Sequence, residues 1–233
     1  DFSAIEAVVL AVLANEKWRL EVFRTHGKIY EASAAMMYRT PFEGFKAYKD
    51  QYGQHHPLRA KGKIGELAFG YQGWIGAAKQ FGMPGSDDEI KQDILKWRAA
   101  SPSIEWLWGG QTLGKASGIL FNYDGMGLPG VSKWDGTPHF FGVEGMAISA
   151  MSNPGTRFLV KCLDGTQSGI SFLKHGDILY CRLPSGRDLK YRSPALRPSP
   201  RGGMVLSYWG WNTNPKNGPT GWIQKDTWGG RLV

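Results

Sequence analysis

The sequence predicts an α+β fold in which a helical first part precedes a β-rich second part. Apolar residues recur with helical spacing over residues 5–14 and in several later segments. Ser86-Asp-Asp-Glu89 has the pattern of a capping box, which satisfies free N–H groups at a helix start. After Asp124, glycine, proline and threonine become frequent and the apolar runs shorten, as is typical of strands joined by turns.

The predicted elements follow from these patterns in chain order. Helices are predicted over residues 5–14, 17–24, 28–37, 57–71, 73–81, 86–99 and 101–123. Strands are predicted over residues 157–163, 178–183, 189–191, 204–211 and 222–224, with Pro184-Ser-Gly186 as a hairpin turn. The segment 40–53 is predicted to be a polar and aromatic connector.

Four residues of the helix predicted over 57–71 recur every four positions: Arg59, Lys63, Leu67 and Tyr71. On a helix this spacing makes one slowly drifting stripe, roughly 18 Å long, with two cations at one end and a ring at the other. The length suits a nucleoside triphosphate, with its phosphates at the cationic end and its base near the ring. A solvated basic face is the alternative interpretation.

Three glycines lie in the same predicted helix, at Gly62, Gly65 and Gly70. Each costs roughly 1 kcal/mol relative to alanine in a helix interior. They predict that something approaches the helix backbone closely, or that the helix bends.

The first six residues, Asp1-Phe-Ser-Ala-Ile-Glu6, contain two carboxylates. If this segment leaves a strand and enters a helix, Asp1 lies at a strand end, where a carboxylate can hold Mg²⁺ together with waters. The alternative is an ordinary acid beside a helix dipole.

The composition is that of a basic globular protein. The formal net charge is +8 and the pI is about 9.5, a level expected of a nucleic-acid binder. No apolar run reaches the ~20 residues of a membrane span, and the start lacks the basic leader of a signal peptide, so no membrane partner and a cytoplasmic location are expected. Cys162 and Cys181 are predicted to be buried thiols of a reducing cytosol, with a disulfide as the alternative.

Tryptophans are frequent near the end of the chain, at Trp209, Trp211, Trp222 and Trp228. They could stack on sugars or bases. A β-sheet core with aromatic cross-strand pairs is the alternative interpretation.

These residues resemble the motifs of family A DNA polymerases. Asp1-Phe-Ser-Ala-Ile-Glu6 is similar to their motif A, D-[YF]-S-x-I-E-x-R, and Arg59-x3-Lys63-x7-Tyr71 to motif B on the fingers helix. Bacteriophage-type members usually read GKxxELALGYQGG at motif B, and this chain has a similar run from Gly62 to Gly73. Two further segments are similar to phage-type elements: residues 28–34 to D-I-Y-E-A-S-A and residues 183–187 to LPSGR.

The resemblance implies three regions and departs from the family pattern at three places. The regions are motif A and the start of the palm over 1–53, helical fingers with motif B over 54–125, and a β-rich insertion returning towards the palm over 126–233. Val8 replaces the usual arginine of motif A, and Lys28 replaces a usual aspartate. Motif C, H-D-E, is expected to lie beyond the end of the chain, so the isolated chain is expected to be an inactive fragment.

For the intact enzyme the resemblance implies DNA-directed transfer of dNTPs to a primer 3′-hydroxyl in viral DNA replication, with two Mg²⁺ ions about 3.5–4 Å apart. Asp1 is then the metal ligand, and Arg59 and Lys63 neutralise the triphosphate, with Lys63 also protonating the pyrophosphate. Tyr71 is expected to stack at the nascent base pair and, with Glu6, to crowd the sugar 2′ position. Three further contacts are implied: Tyr30 with the nucleotide, and Gly73 and Arg187 with primer-template DNA.

Three hypotheses therefore compete. The chain is a segment of a DNA polymerase, a non-catalytic DNA- or nucleotide-binding fragment, or a tryptophan-rich interaction domain. The sequence does not determine the oligomeric state.

Overall fold

The computed structural model describes residues 4–109, 121–122, 131–132, 142–198, 204–215, 218–227 and 232. Helices dominate up to Trp108 and an antiparallel six-stranded sheet dominates later, so the α+β class is confirmed. The chain divides into two compact units, Asp1–Glu105 and Trp106–Val233. The functional division into 1–53, 54–125 and 126–233 stays a prediction. None of the helices in the described ranges has both the length and the hydropathy of a membrane span.

The first unit is built from short helices. They are α1 (Ile5–Ala14), α2 (Lys17–Thr25), α3 (Ile29–Tyr38), α4 (Phe42–Tyr52), α5 (Pro57–Ile64), a π-helix (Gly65–Phe69), α6 (Ile75–Gln80), α7 (Asp87–Ala99) and the start of α8 (Pro102–Trp108). The predicted bounds of α1 are confirmed. The capping box of α7 is confirmed as well, because the Ser86 hydroxyl accepts a bond from the Glu89 N–H and the Glu89 carboxylate accepts one from the Ser86 N–H.

The prediction of a connector over 40–53 was wrong, because these residues form α4. Phe45 is buried on its inner face, and the rings of Tyr48 and Tyr52, one turn apart, are tilted against each other with centroids 4.5 Å apart. This aromatic spacing is helical, and i,i+4 contacts of this kind stabilise a helix. Gly53 ends α4 with a positive φ of 69°.

The prediction of a single helix over 57–71 was also wrong in part. α5 begins at Pro57, as predicted, but regular α-helix ends at Ile64. Residues Gly65–Phe69 continue as a π-helix, with i→i+5 hydrogen bonds, and Tyr71 lies in the following turn. The stripe of Arg59, Lys63, Leu67 and Tyr71 is therefore interrupted between its cations and its ring.

Close approach to the helix backbone is confirmed at Gly62. A Cβ placed there would lie 2.2 Å from the Tyr30 carbonyl oxygen and 3.0 Å from the Ala34 Cβ. What approaches is thus α3, which packs directly against α5. At Gly65 the close neighbour is Trp97, whose Cδ1 would lie 2.9 Å from a Cβ.

The second unit contains the end of α8 and elements of the β-rich part. They are β1 (Phe121–Asn122), β2 (Val131–Ser132), α9 (Gly142–Ser152), β3 (Arg157–Lys161), β4 (Gln167–His175), β5 (Ile178–Arg182), β6 (Asp188–Pro198), β7 (Met204–Asn212) and β8 (Gly221–Thr227). The helix predicted over 101–123 was too long, because α8 ends at Trp108 and Gly109 follows with a φ of 130°. α9 and β4 were not predicted.

The strands β3 to β8 form an antiparallel meander in chain order. The predicted turn at Pro184-Ser-Gly186 joins β5 to β6. α9 packs against β3, β4 and β5, and the apolar side chains of the sheet core include the fully buried Phe172 and Leu179. Cys162 and Cys181 are buried and do not form a disulfide, as predicted, and burial followed by the Asp188 charge raises the pKa of the Cys181 thiol to about 12.

Three of the four tryptophans near the end of the chain lie outside the sheet core. Trp209, Trp211 and Trp222 are exposed, so the core interpretation is wrong for them, although Trp211 and Trp222 do form the predicted cross-strand pair. Trp228 lies outside the described residues.

Gly62→Ala should destabilise the protein by about 1–3 kcal/mol, because the new methyl group meets the α3 backbone. Gly44→Ala in α4 is the matched control, since no atom lies within 4 Å of its new Cβ, and it should stabilise by roughly 0.5–1 kcal/mol. The free energy of unfolding from urea titration measures both. Equal effects of the two substitutions would contradict the close packing of α3 on α5.

Candidate functional site

The exposed side of α5 carries Arg59 in contact with α3. The Arg59 Nε donates a hydrogen bond of 2.8 Å to the Glu31 Oε1, and its guanidinium carbon lies 5.4 Å from the Tyr30 ring centroid. The short distance between the α3 and α5 backbones at Gly62 allows this contact. The structure therefore brings together two residues that the sequence predicted for nucleotide binding, Arg59 and Tyr30.

Lys63 lies one turn further along α5, about 6 Å from Arg59 along the helix axis. Its side chain is exposed. In the part of the chain that the structure describes, no hydrogen bond or ion pair engages the Lys63 ammonium. It is therefore open to an anionic ligand.

The neighbouring lysine on α5 has a different environment. The Lys61 Nζ donates a 2.8 Å bond to the Asp93 carboxylate of α7, which also accepts a 3.1 Å bond from Lys96. Burial by itself would raise the pKa of Asp93, but the hydrogen bonds, first that of Lys61, hold the pKa below its usual value. The Lys61 charge is thus committed to the packing of α5 on α7.

A cavity of about 450 Å³ lies beside Arg59, between α3, α4 and α5. Lys28, Glu31 and His56 line it together with Arg59. Glu31 and Lys28 were not predicted as site residues. The sequence did contain a signal for them, because Lys28 and Glu31 both lie with Tyr30 in the segment that resembles a phage-type element.

Tyr71 and Glu6 lie near each other, although 65 positions separate them in the numbering. Burial and then the Glu6 carboxylate raise the pKa of the Tyr71 phenol, while 48% of the residue stays exposed. α1 reaches this turn, because the Leu10 Cδ2 would lie 3.4 Å from a Cβ at Gly70. The ring thus presents an accessible face beside a carboxylate.

A buried polar cluster supports the segment between Lys63 and Tyr71. Arg19 of α2 forms an ion pair with Glu66 of the π-helix, and their side chains are only 1% and 3% exposed. The other Glu66 oxygen accepts a 2.9 Å bond from the Trp97 indole of α7, and Arg19 donates a 2.8 Å bond to the Ser101 hydroxyl. The Arg19 guanidinium also lies over the ring of Trp97, 4.8 Å from its centroid.

This cluster was not predicted from the sequence. The sequence does show a charged residue next to apolar ones at both positions. Glu66 precedes Leu67-Ala-Phe69, and Arg19 follows Trp18. A buried charge needs a partner, and sequence spacing does not show which one it has.

Three predicted site residues remain, Asp1, Gly73 and Arg187. Asp1, the predicted metal ligand, lies outside the described residues. Gly73 follows the π-helix, and a Cβ there would lie 2.2 Å from the Ala68 carbonyl oxygen, which gives this glycine a packing reason. Arg187 is exposed in the β5–β6 turn of the second unit. Within the described ranges there is no group of three or more His, Cys, Asp or Glu side chains that could hold a metal ion.

Comparison with known proteins identifies a relative of the whole chain. No protein-family model matches the chain, and no solved structure matches it. It is 39% identical over 237 residues to a DNA polymerase of Bacillus phage SP02, a match that covers 100% of this chain and 29% of that polymerase. The chain therefore spans less than a third of the length of this relative, and the predicted resemblance to phage DNA polymerases is confirmed.

Glu66→Gln should destabilise the protein by about 3–5 kcal/mol, because it leaves the buried Arg19 charge without an anion. Lys79→Gln is the control, since it breaks an ion pair with Asp87 in which both side chains are more than half exposed, and it should cost about 0–1 kcal/mol. Urea unfolding followed by tryptophan fluorescence measures both. A loss for Glu66→Gln as small as that for Lys79→Gln would contradict the importance of the buried pair.

Glu6→Gln should lower the pKa of the Tyr71 phenol, because it removes one of the two causes that raise it. Titration of the tyrosine ring signals by NMR measures this pKa, with Tyr71→Phe identifying the signal. Glu21→Gln, on the exposed side of α2, is the control and should leave the Tyr71 pKa unchanged. An unchanged pKa in Glu6→Gln would show that the carboxylate and the phenol are not neighbours.

Proposed function

We propose that the chain is the part of a DNA-directed DNA polymerase, of family A, that binds the incoming dNTP. Similarity over the whole chain to a phage DNA polymerase is the observation that carries this proposal. The order of the motif A-like and motif B-like segments supports membership of family A. The proposed reaction is attack of a primer 3′-hydroxyl on the dNTP α-phosphorus, with breakage of its bond to the leaving pyrophosphate.

Arg59 and Lys63 bind the triphosphate in this proposal. A guanidinium forks onto phosphate oxygens, whereas an ammonium acts as a compact point charge. The Arg59 fork is oriented before binding by Glu31 and by the Tyr30 ring. A phosphate that reaches Arg59 competes with Glu31 for the guanidinium N–H groups, and Lys28 adds a further cation at the same cavity.

Lys63 is also the proposed proton donor. Its Nζ is exposed and engages no described residue, so it can contact the leaving pyrophosphate and transfer a proton to it. The same charge stabilises the negative charge that develops on the leaving group.

Tyr71 and Glu6 contact the sugar and base of the nucleotide in this proposal. The exposed face of the Tyr71 ring can stack on the nascent base pair. The neighbouring Glu6 carboxylate narrows the space next to the ring, which would crowd a 2′-hydroxyl and favour deoxyribose.

The proposal includes two Mg²⁺ ions with Asp1 as a ligand, and primer-template DNA as a partner in contact with Gly73 and Arg187. Among the described residues there is no cluster of three or more His, Cys, Asp or Glu side chains that could hold these ions. Four described residues therefore carry the proposed contacts with the nucleotide: Arg59, Lys63, Glu6 and Tyr71. The proposed location is the cytoplasm of the bacterial host.

A second function is binding without turnover. The extent of the match favours it, because the chain corresponds to only 29% of the phage DNA polymerase that it matches. In that case the chain by itself binds nucleotide or DNA through Arg59 and Lys63 and does not incorporate dNTPs.

Lys63→Ala, made in an active polymerase that carries this segment, should weaken dNTP use by roughly 10- to 100-fold, as expected for loss of one charge-assisted hydrogen bond. Single-turnover incorporation over a range of dNTP concentrations measures this, and anisotropy of labelled primer-template measures DNA affinity, which should change little. Lys91→Ala, an exposed lysine of α7, is the matched control. Equal losses of dNTP use and DNA affinity would contradict the assigned role.

A further inference from the structure

The sheet of the second unit carries three exposed tryptophans on one face. Trp209 and Trp211 are two residues apart on β7 and therefore point to the same side. Trp222 of β8 lies directly opposite Trp211, with ring centroids 5.9 Å apart and nearly perpendicular planes. The three residues are 45%, 53% and 54% exposed. Clustered aromatic surface of this kind marks an interaction site more often than scattered exposed residues do.

A cavity of about 620 Å³ adjoins these rings. Trp209 and Trp222 line it together with Arg192, His175 and Asp177. The strand register explains the grouping, because Trp209 pairs with Arg192 across β7 and β6, and Arg192 pairs with Ile178 across β6 and β5. Residues directly opposite in an antiparallel pair share a face of the sheet. The cavity thus combines two indole faces with a guanidinium.

Cations outnumber carboxylates on the part of this face around Asp188. Arg182 donates two hydrogen bonds to Asp188, of 2.9 Å and 3.0 Å, and Arg157 and Lys190 lie close enough to lower its pKa further. Three cations therefore share one carboxylate.

Arg192 lines the cavity together with Trp209 and Trp222, and it is exposed. Within the described ranges no hydrogen bond or ion pair engages its guanidinium. On this face a positive charge therefore lies next to exposed aromatic rings.

We propose that this face binds single-stranded nucleic acid, with bases stacked on Trp209, Trp211 and Trp222 and phosphates held by Arg192 and Lys190. Aromatic platforms beside cations are the common means of binding single strands without sequence preference. A duplex hides the faces of its bases, so it cannot use the indoles in this way. The surface lies within the second unit and does not depend on the proposed dNTP site.

The test uses the full 233-residue chain and a fluorescein-labelled oligothymidylate of about 12 nucleotides, followed by anisotropy at several salt concentrations. Trp222→Leu should weaken binding by roughly 5- to 100-fold through loss of stacking. Arg192→Gln should weaken it and reduce the slope of log affinity against log salt by about 0.7, the value for one phosphate contact on a single strand. Phe81→Leu and Lys91→Gln, exposed residues of the first unit, are the matched controls and should bind as the unaltered chain does.

Several results would overturn this inference. The first is unchanged affinity in both Trp222→Leu and Arg192→Gln. The second is a duplex of equal length that binds as tightly as the single strand. The third is polyglutamate that competes as well as oligothymidylate, because this result would indicate an acidic protein partner. Circular dichroism checks the fold of Trp222→Leu. If that variant unfolds, Arg192→Gln still decides, because it alters an exposed side chain. Trp222→Leu should keep dNTP affinity and Lys63→Ala should keep oligothymidylate affinity, so failure of the dNTP site is distinguishable from failure of this surface.

Discussion

The buried ion pair between Arg19 and Glu66 is the constraint on which the first unit depends. Each charge alone would cost several kcal/mol in that interior, so α2 and the π-helix are stable only in the arrangement that joins them. The indole of Trp97 and the hydroxyl of Ser101 add hydrogen bonds to the pair and bring α7 and the start of α8 to the same point. Because the π-helix connects α5 to the turn of Tyr71, this pair also determines where the exposed aromatic ring lies.

The cations of α5 are divided between structure and ligand binding by helix geometry. Residues two apart on an α-helix point about 200° away from each other. Lys61 therefore meets the Asp93 carboxylate on α7, whereas Lys63 faces outwards. Arg59 is intermediate, since it is held by Glu31 but remains partly accessible beside the cavity. A basic run in a sequence is thus not one patch, and its members differ in what they can still bind.

Local signals predicted much of the first unit, and non-local contacts explain what they missed. α1 and the capped start of α7 follow from apolar spacing and from Ser86 with Glu89, which are properties of a few neighbouring residues. The π-helix was not predictable in this way, because it depends on Arg19, far away along the chain. In the site, Arg59 and Tyr30 were named from motifs, but their contact follows from the packing of α3 at Gly62. The exposed tryptophan face was not predictable for the same reason. Alternation of apolar and polar residues predicts the strands, but it does not predict which face of the sheet α9 covers.

The π-helix has a consequence for how insertions and deletions would act on this segment. Its hydrogen bonds span one residue more than those of an α-helix, so a single-residue deletion within Gly65–Phe69 could restore a regular helix with its backbone bonds intact. Because the wider π-turn and the α-turn that replaces it each complete about one turn, the residues after such a deletion would keep nearly the same orientation relative to α5. A single-residue deletion within α5 would instead rotate Tyr71 by about 100° relative to the start of that helix. The π-helix is therefore the place in this segment where a change of length would least disturb the alignment of the tyrosine with the first helix.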